Sequence, residues 1–166
     1  MSIEVTILYV VWSATIISLF FIPYHHYRKA SISFLFQQFS AWFLGILVVQ
    51  WNLIEYPVRE LASVNQTSFT FEFFVYPVIG IFFNYFYPTN SSLFRRILYY
   101  CFICTAITIP EVIIEKNTDL IHYVSWHWTV TWMSVYATLF LLRGFFSWFF
   151  KNDLQKNKLG DRPHQA

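Results

Sequence analysis

An all-α bundle of about five transmembrane helices, with the N-terminus outside and the C-terminus in the cytoplasm, is the fold this sequence predicts. Three observations carry it. Five long apolar runs are separated by short polar segments. Only 12% of the 166 residues are charged, with a mean hydropathy of +0.46. A soluble domain usually carries about 25% charged residues, so too few remain here to cover a water-facing surface. Finally, the basic residues gather on one side of the alternating runs. The aromatic share of 23% fits the same picture, through lipid-facing Phe and interfacial Trp and Tyr.

The first run, 3–22, is followed by Pro23 and the cluster His25-His26-Tyr27-Arg28-Lys29. A cleavable signal peptide places its positive charge before the apolar core. Here Glu4 precedes and Arg28-Lys29 follow, so a retained helix is expected. The second run, 32–54, ends in Glu55-Tyr56-Pro57-Val58-Arg59-Glu60. The third, 69–87, is closed by Pro88 and the turn-forming Thr89-Asn90-Ser91-Ser92. Arg95-Arg96 lead into the fourth, 97–114, and the fifth covers 124–150. These runs make residues 1–150 one five-helix domain, and 151–166 a polar cytoplasmic tail.

Alternating the runs puts Arg28, Lys29, Arg95, Arg96, Arg143, Lys151, Lys156, Lys158 and Arg162 on one side, and only Arg59 and Lys116 on the other. The positive-inside rule makes the first side cytoplasmic. Glu4, Glu55, Glu60, Glu72, Glu111, Glu115 and Asp119 all lie toward the outer face.

In lipid a polar side chain is costly unless it faces protein or water, so polar positions report which helix face points inward. In the fourth run Cys101, Cys104, Thr105, Thr108, Glu111 and Glu115 recur at helical spacing. The third carries Glu72, Tyr76, Gly80 and Asn84; the fifth, Tyr123, His127, Thr131, Ser134 and Thr138. The second has Gln38, Trp42, Gly45 and Asn52, with Glu55 and Arg59 at its outer end. The first is nearly featureless and reads as a packing helix. At about 1.5 Å per residue, Glu111 sits roughly 22 Å above Arg96, in the outer part of the bilayer. The stripes predict an outward-facing polar pocket built from Glu55, Arg59, Glu72, Glu111, His127 and Trp128, with Arg59 as counter-charge to Glu55. Pro77 and Pro110 each free a carbonyl four residues earlier, as in kinked helices beside cavities.

Glu72, Glu111 and His127 are candidate metal ligands, since carboxylate and imidazole suit Zn²⁺, Mn²⁺ or Fe²⁺, although no HExxH or Glu-x-x-His signature is present. The plainer account makes these acids headgroup-level residues, one of them neutralised by Arg59. Cys101 and Cys104 form a CxxC with no second Cys pair, which favours helix packing over redox exchange. Trp126, Trp128 and Trp132 read as an outer aromatic belt or, with His127, as a stacking surface for a planar ligand or cation. No nucleophile elbow or Gly-rich phosphate loop occurs, and the dispersed basic residues argue against nucleic acid as a partner.

Ile54-Glu55-Tyr56-Pro57-Val58-Arg59, Phe71-Glu72-Phe73 with Tyr76-Pro77, Asn84 with Tyr87-Pro88, and Glu111 followed by Leu120-Ile121 and Trp126-x-Trp128 resemble an uncharacterised family of small multi-pass membrane proteins of Bacillus- and Clostridium-type spore formers. The resemblance spans the second to the fifth helix and implies a bacterial cytoplasmic membrane, with no activity to carry over. In architecture alone, five helices, size and Trp content are similar to the tryptophan-rich sensory proteins that bind porphyrins.

The expected function is non-enzymatic: binding or passing a small ligand or ion through the outward-facing pocket, with the identity of any cofactor left open. The alternatives are a membrane-embedded metal enzyme acting on lipid or cell-wall precursors, and a structural or assembly subunit of a membrane complex, with sporulation as a candidate process and no ligand of its own. Membrane lipids are the expected partners, together with a homo-oligomer or a larger membrane complex.

Overall fold

The computed structural model describes residues 2–151, and the expected tail beyond Lys151 lies outside the described residues. Five helices account for most of them: α1 (Ile3–Leu19), α2 (Tyr27–Gln50), α3 (Phe69–Tyr85), α4 (Leu93–Asn117) and α5 (Trp128–Phe149). A short antiparallel pair, β1 (Ile54–Glu55) and β2 (His122–Tyr123), joins the α2–α3 loop to the α4–α5 loop, with Ile54 opposite Tyr123 and Glu55 opposite His122.

Three segments are long and apolar enough to cross a membrane: Tyr24–Gln50, α4 and α5. The other two helices are apolar but shorter. The apolar side chains point outward to an unusual degree, with Phe20, Phe102, Met133 and Trp148 all exposed. Buried instead are small and polar residues such as Ser33, Gln37, Thr70, Thr108, Thr131 and Thr138.

Packing sets the order of the helices. α2 lies against both α3 and α5, α5 against α4, and α1 against the first turns of α3. One core cluster of Phe83, Tyr100, Cys104, Val135, Leu139 and Leu142 ties α3, α4 and α5 together. A second, of Ile54, Tyr56 and Ile121, closes the end where the two β-strands meet. α1 is fastened by Trp12, whose Nε1 donates to Thr70 Oγ1 at 2.7 Å and whose ring stacks on Phe74 at 4.4 Å.

The first part of α3, Phe69–Val75, is π-helical, and the α-helical part starts at Tyr76 with Pro77 in its first turn. A proline there has no N–H for the Phe73 carbonyl four residues back. Gln38 of α2 supplies the missing donor, with Nε2 3.1 Å from that carbonyl. The wide π turn and the proline thus leave a backbone group that a neighbouring helix satisfies, the circumstance in which such irregularity is tolerated.

Several expected boundaries move. The second helix ends at Gln50 rather than 54, because Asn52 turns the chain at a φ of 52° and Ile54–Glu55 become a strand. The fourth runs over Leu93–Asn117 rather than 97–114, capped by Ser92, whose Oγ accepts from the Arg95 amide at 3.5 Å. The fifth begins at Trp128 rather than 124, with His127 as its extended N-cap. The inward face of α2 is Ala30, Ser33, Gln37 and Gly45; of the expected stripe Gln38, Trp42, Gly45 and Asn52, Gly45 is buried, whereas Trp42 and Asn52 are exposed.

The bundle has two chemically distinct ends. The end bearing β1 and β2 carries Glu55, Glu60, Glu115 and Asp119, with Arg59 and Lys116 as its basic residues. At the other end the α1–α2 and α3–α4 connections meet, with His26 edge-on to Tyr85 at 5.1 Å, and here lie Arg28, Lys29, Arg95, Arg96 and Arg143.

Candidate functional site

The acidic end contains a cavity of about 120 Å³ between α2, α3, α4 and α5, into which Glu72 and Glu111 both open. Each carboxylate comes from a different local device. Glu72 sits on the π turn of α3, which Ser68 caps by accepting from the Phe71 amide. Glu111 follows Pro110 inside α4, where the proline leaves the Ala106 carbonyl without its usual donor.

Glu111 is held by three neutral hydroxyls. Tyr123 and Thr131 donate to Oε1 at 2.6 and 2.9 Å, and Tyr76 donates to Oε2 at 2.7 Å. Thr131 itself accepts from Trp126 Nε1 at 2.8 Å, so its proton is directed at the carboxylate. Both oxygens of Glu111 are therefore occupied and its position is fixed.

Glu72 is less well served. It is 4% exposed, Tyr56 donates to Oε1 at 3.2 Å, and Oε2 is buried with no hydrogen-bond partner. That oxygen lies against Gly45, where a Cβ would overlap the carboxylate. Gln37 lines the same cavity. Its Nε2 donates to Thr138 Oγ1 at 3.4 Å, and Thr138 has already given its own proton to the Val135 carbonyl at 3.0 Å. The amide orientation is therefore set, and Gln37 Oε1 is left buried and unpartnered. Two orphaned acceptors share one cavity, whose lining among the described residues includes no Lys, Arg or His. A buried acceptor without a donor costs roughly 1–3 kcal/mol, more if charged.

The strand pair positions the lid over this site. Ile54 and Tyr56 are buried and Glu55 between them is exposed, the two-residue alternation of an extended chain. Arg59 fixes the loop beyond by donating Nη1 to the Tyr56 carbonyl at 2.7 Å and Nε to the Asn65 carbonyl at 2.8 Å. The Tyr56 and Tyr123 phenols are both pushed up from their ordinary range. Burial is the main cause for each; the neighbouring charges of Glu72, then Glu111, add to it at Tyr56, and that of Glu111 at Tyr123. Both stay protonated, and so remain donors to the carboxylates.

Of the six residues expected to form the pocket, the structure brings Glu72 and Glu111 together. Glu55 faces outward on β1. Arg59 is spent on main-chain carbonyls and makes no ion pair with Glu55, which corrects the expected counter-charge. His127 is exposed and bonded at Nδ1 to Thr129 Oγ1 at 2.9 Å, because the chain there is an extended cap and not a helical turn. Trp128 is exposed beside it. Among the described residues no three His, Cys, Asp or Glu side chains are placed to share an ion, so Glu72, Glu111 and His127 do not assemble as a metal set.

Sequence reasoning misses Tyr56 and Gln37, and places Trp126 in the aromatic belt or a stacking surface rather than in this pocket. Tyr56 lies beyond the end of the apolar run at 54, in a segment with no helical stripe to mark its side, and Gln37 is passed over for its neighbour Gln38. Tyr123 arrives from β2 and not from the helical stripe that included it. Behind Tyr56, Tyr76 and Glu111 lies a second cavity of about 260 Å³, apolar and lined by Val11, Ile107 and Pro110 among others.

The chain matches no family model, no curated protein and no solved structure. The chemistry of its own residues is what defines the site.

Proposed function

We propose that the protein is a five-helix integral membrane protein that binds, or passes, a small cation in the cavity between Glu72 and Glu111. The observation that carries this reading is the pair of orphaned acceptors, Glu72 Oε2 and Gln37 Oε1, in a cavity whose lining, among the described residues, has two carboxylates and no basic side chain. With Glu72 ionised both unmet atoms are acceptors, and the complementary ligand brings protons to donate or positive charge. The rings of Tyr56, Tyr76 and Trp126 line the same space and suit an organic ammonium through cation–π attraction. The mostly apolar walls exclude a large hydrated ion.

The membrane setting rests on the three long apolar helices, the outward-facing aromatic surface and the polar residues turned inward. The uneven charge of the two ends supports an outer acidic end and a cytoplasmic basic end, hence an outside N-terminus. The bacterial cytoplasmic membrane and the kinship with small spore-former proteins belong to the same proposal, on the motifs around Glu72 and Tyr56.

Thermal unfolding of the detergent-purified protein, titrated with sodium, potassium, ammonium, methylammonium and tetramethylammonium chlorides, tests it. A saturable rise in Tm with one of them, absent in Glu72→Gln, is expected. Equal, non-saturating responses to all five salts in both proteins would overturn it.

A further inference from the structure

The basic end holds another cavity, of about 160 Å³, that the cation site does not use. It lies where the start of α2, the end of α3 and the last turns of α5 meet, and Lys29, Ser33, Asn84, Thr89, Arg143 and His26 contribute its polar groups. Its electrostatics are the reverse of the first cavity's.

Arg143 is the centre. Its guanidinium stacks on the Tyr87 ring at 4.0 Å, donates Nη1 to Asn84 Oδ1 at 3.3 Å and Nη2 to Thr89 Oγ1 at 3.2 Å. All three partners are neutral. The ammonium of Lys29 stands 6.0 Å from the centroid of the Phe150 ring. Beside the cavity, Arg96 donates Nη2 to the Thr89 carbonyl at 2.7 Å and leaves Nε buried without a partner. His26 Nδ1 is likewise buried and unpartnered. Among the described residues no carboxylate lines this cavity, and the described acids Glu4, Glu55, Glu60, Glu72, Glu111, Glu115 and Asp119 belong to the rest of the bundle, toward its other end.

A positive-inside bias explains why basic residues collect at this end. Arg95, exposed on the first turn of α4, needs no more than that. It does not explain why Arg143 is drawn into a lined cavity, stacked on a ring and oriented by two neutral acceptors. A planar guanidinium fixed in this way is suited to bidentate recognition of phosphate oxygens. Basic pockets between helices at the cytoplasmic side are where phosphate headgroups bind.

The geometry points to a phosphate site at the basic end, in which Arg143 and Lys29 bind the phosphate oxygens of an anionic lipid headgroup or of a free phosphate. Tyr87 and Asn84 are positioning residues that hold the guanidinium in its orientation. Lipid and free phosphate present the same oxygens, and the experiment separates them.

The test is native mass spectrometry of the full-length protein from nanodiscs containing equal amounts of phosphatidylglycerol and phosphatidylcholine, with and without millimolar inorganic phosphate. Wild type is expected to retain the anionic lipid, or inorganic phosphate, selectively over phosphatidylcholine. Retention should fall about tenfold in Arg143→Gln, the loss of one charge-assisted bidentate contact, and remain unchanged in Arg95→Gln. Lipid that persists against added phosphate identifies a headgroup; exchange for phosphate identifies a soluble anion. Arg143→Lys, which keeps charge but not the planar fork, guards against a variant that fails to fold and should retain less than wild type. An equal fall in Arg95→Gln and Arg143→Gln, or no selective retention by a folded wild type, would overturn the site.

Discussion

Gly45 of α2 lies directly against the carboxylate of Glu72 on the π turn of α3, so that a Cβ at position 45 would overlap it. One missing methyl group thus gives the buried acid its room. Gly45→Ala has to displace Glu72 from the cavity or push α2 away from α3. Overpacking of this kind costs about 1–3 kcal/mol. A lowered Tm with cation stabilisation lost is the expected outcome, checked by thermal unfolding with and without the stabilising salt. Gly144→Ala is the control, since nothing lies within 4 Å of a Cβ there.

Glu111 accepts from Tyr76, Tyr123 and Thr131, which come from α3, β2 and α5. Tyr76→Phe and Tyr123→Phe should each destabilise by about 1–3 kcal/mol, because each removes a donor from a half-buried carboxylate. In a double-mutant cycle with Glu111→Gln, each pair should couple, while Tyr24→Phe, exposed at the opposite end, should not.

The raised phenols of Tyr56 and Tyr123 give a pH dependence with a definite sign. The folded state holds these protons more tightly than the unfolded chain, whose tyrosines ionise near pH ~10. Their contribution is therefore complete below about pH 10 and is lost as pH rises toward the folded values. Tm measured from pH 8 upward should be flat and then fall above about pH 10, with the fall reduced in a Tyr56→Phe/Tyr123→Phe double variant.

Cys104 is 0% exposed inside the α3–α4–α5 cluster, and Cys101 is partly exposed; both are free thiols. A packing role implies that Cys104 reacts with maleimide only on unfolding. Reductant should leave Tm unchanged. Cys104→Ser should lower stability by about 1–3 kcal/mol by burying a hydroxyl, whereas Cys101→Ser should stay within about 0.5 kcal/mol.

Sidedness has a direct check. Cysteine-substituted Lys116 lies at the acidic end and cysteine-substituted Asn90 at the basic end. In intact cells, an impermeant thiol reagent should modify the first and reach the second only after lysis. The reverse pattern would invert the proposed orientation.

The helices themselves were legible because apolar runs near bilayer length have few alternative readings. Glu72 and Glu111 were legible too, since acids inside such runs must face protein or water. What failed was the treatment of run ends. Ile54, Glu55 and Tyr123 pass as helix-end positions, yet Ile54-Glu55 and His122-Tyr123 form a two-residue sheet whose pairing depends on a loop nearly seventy positions away. That non-local contact turns Tyr56 inward and Glu55 outward, and leaves His127 as a cap. On α2, the buried Gln37 and the more exposed Gln38 are adjacent in sequence, and only the Phe73 carbonyl freed by Pro77 explains why Gln38 faces α3.

The central claim is that the Glu72–Glu111 cavity holds a small cation, and native mass spectrometry of the mildly solubilised full-length protein tests it most directly. Wild type and Glu55→Gln should carry the same cationic adduct, and Glu72→Gln, folded by circular dichroism, should lack it. A folded wild type with no retained cation in the presence of the candidate salts, or an adduct equally present in Glu72→Gln, would contradict the account.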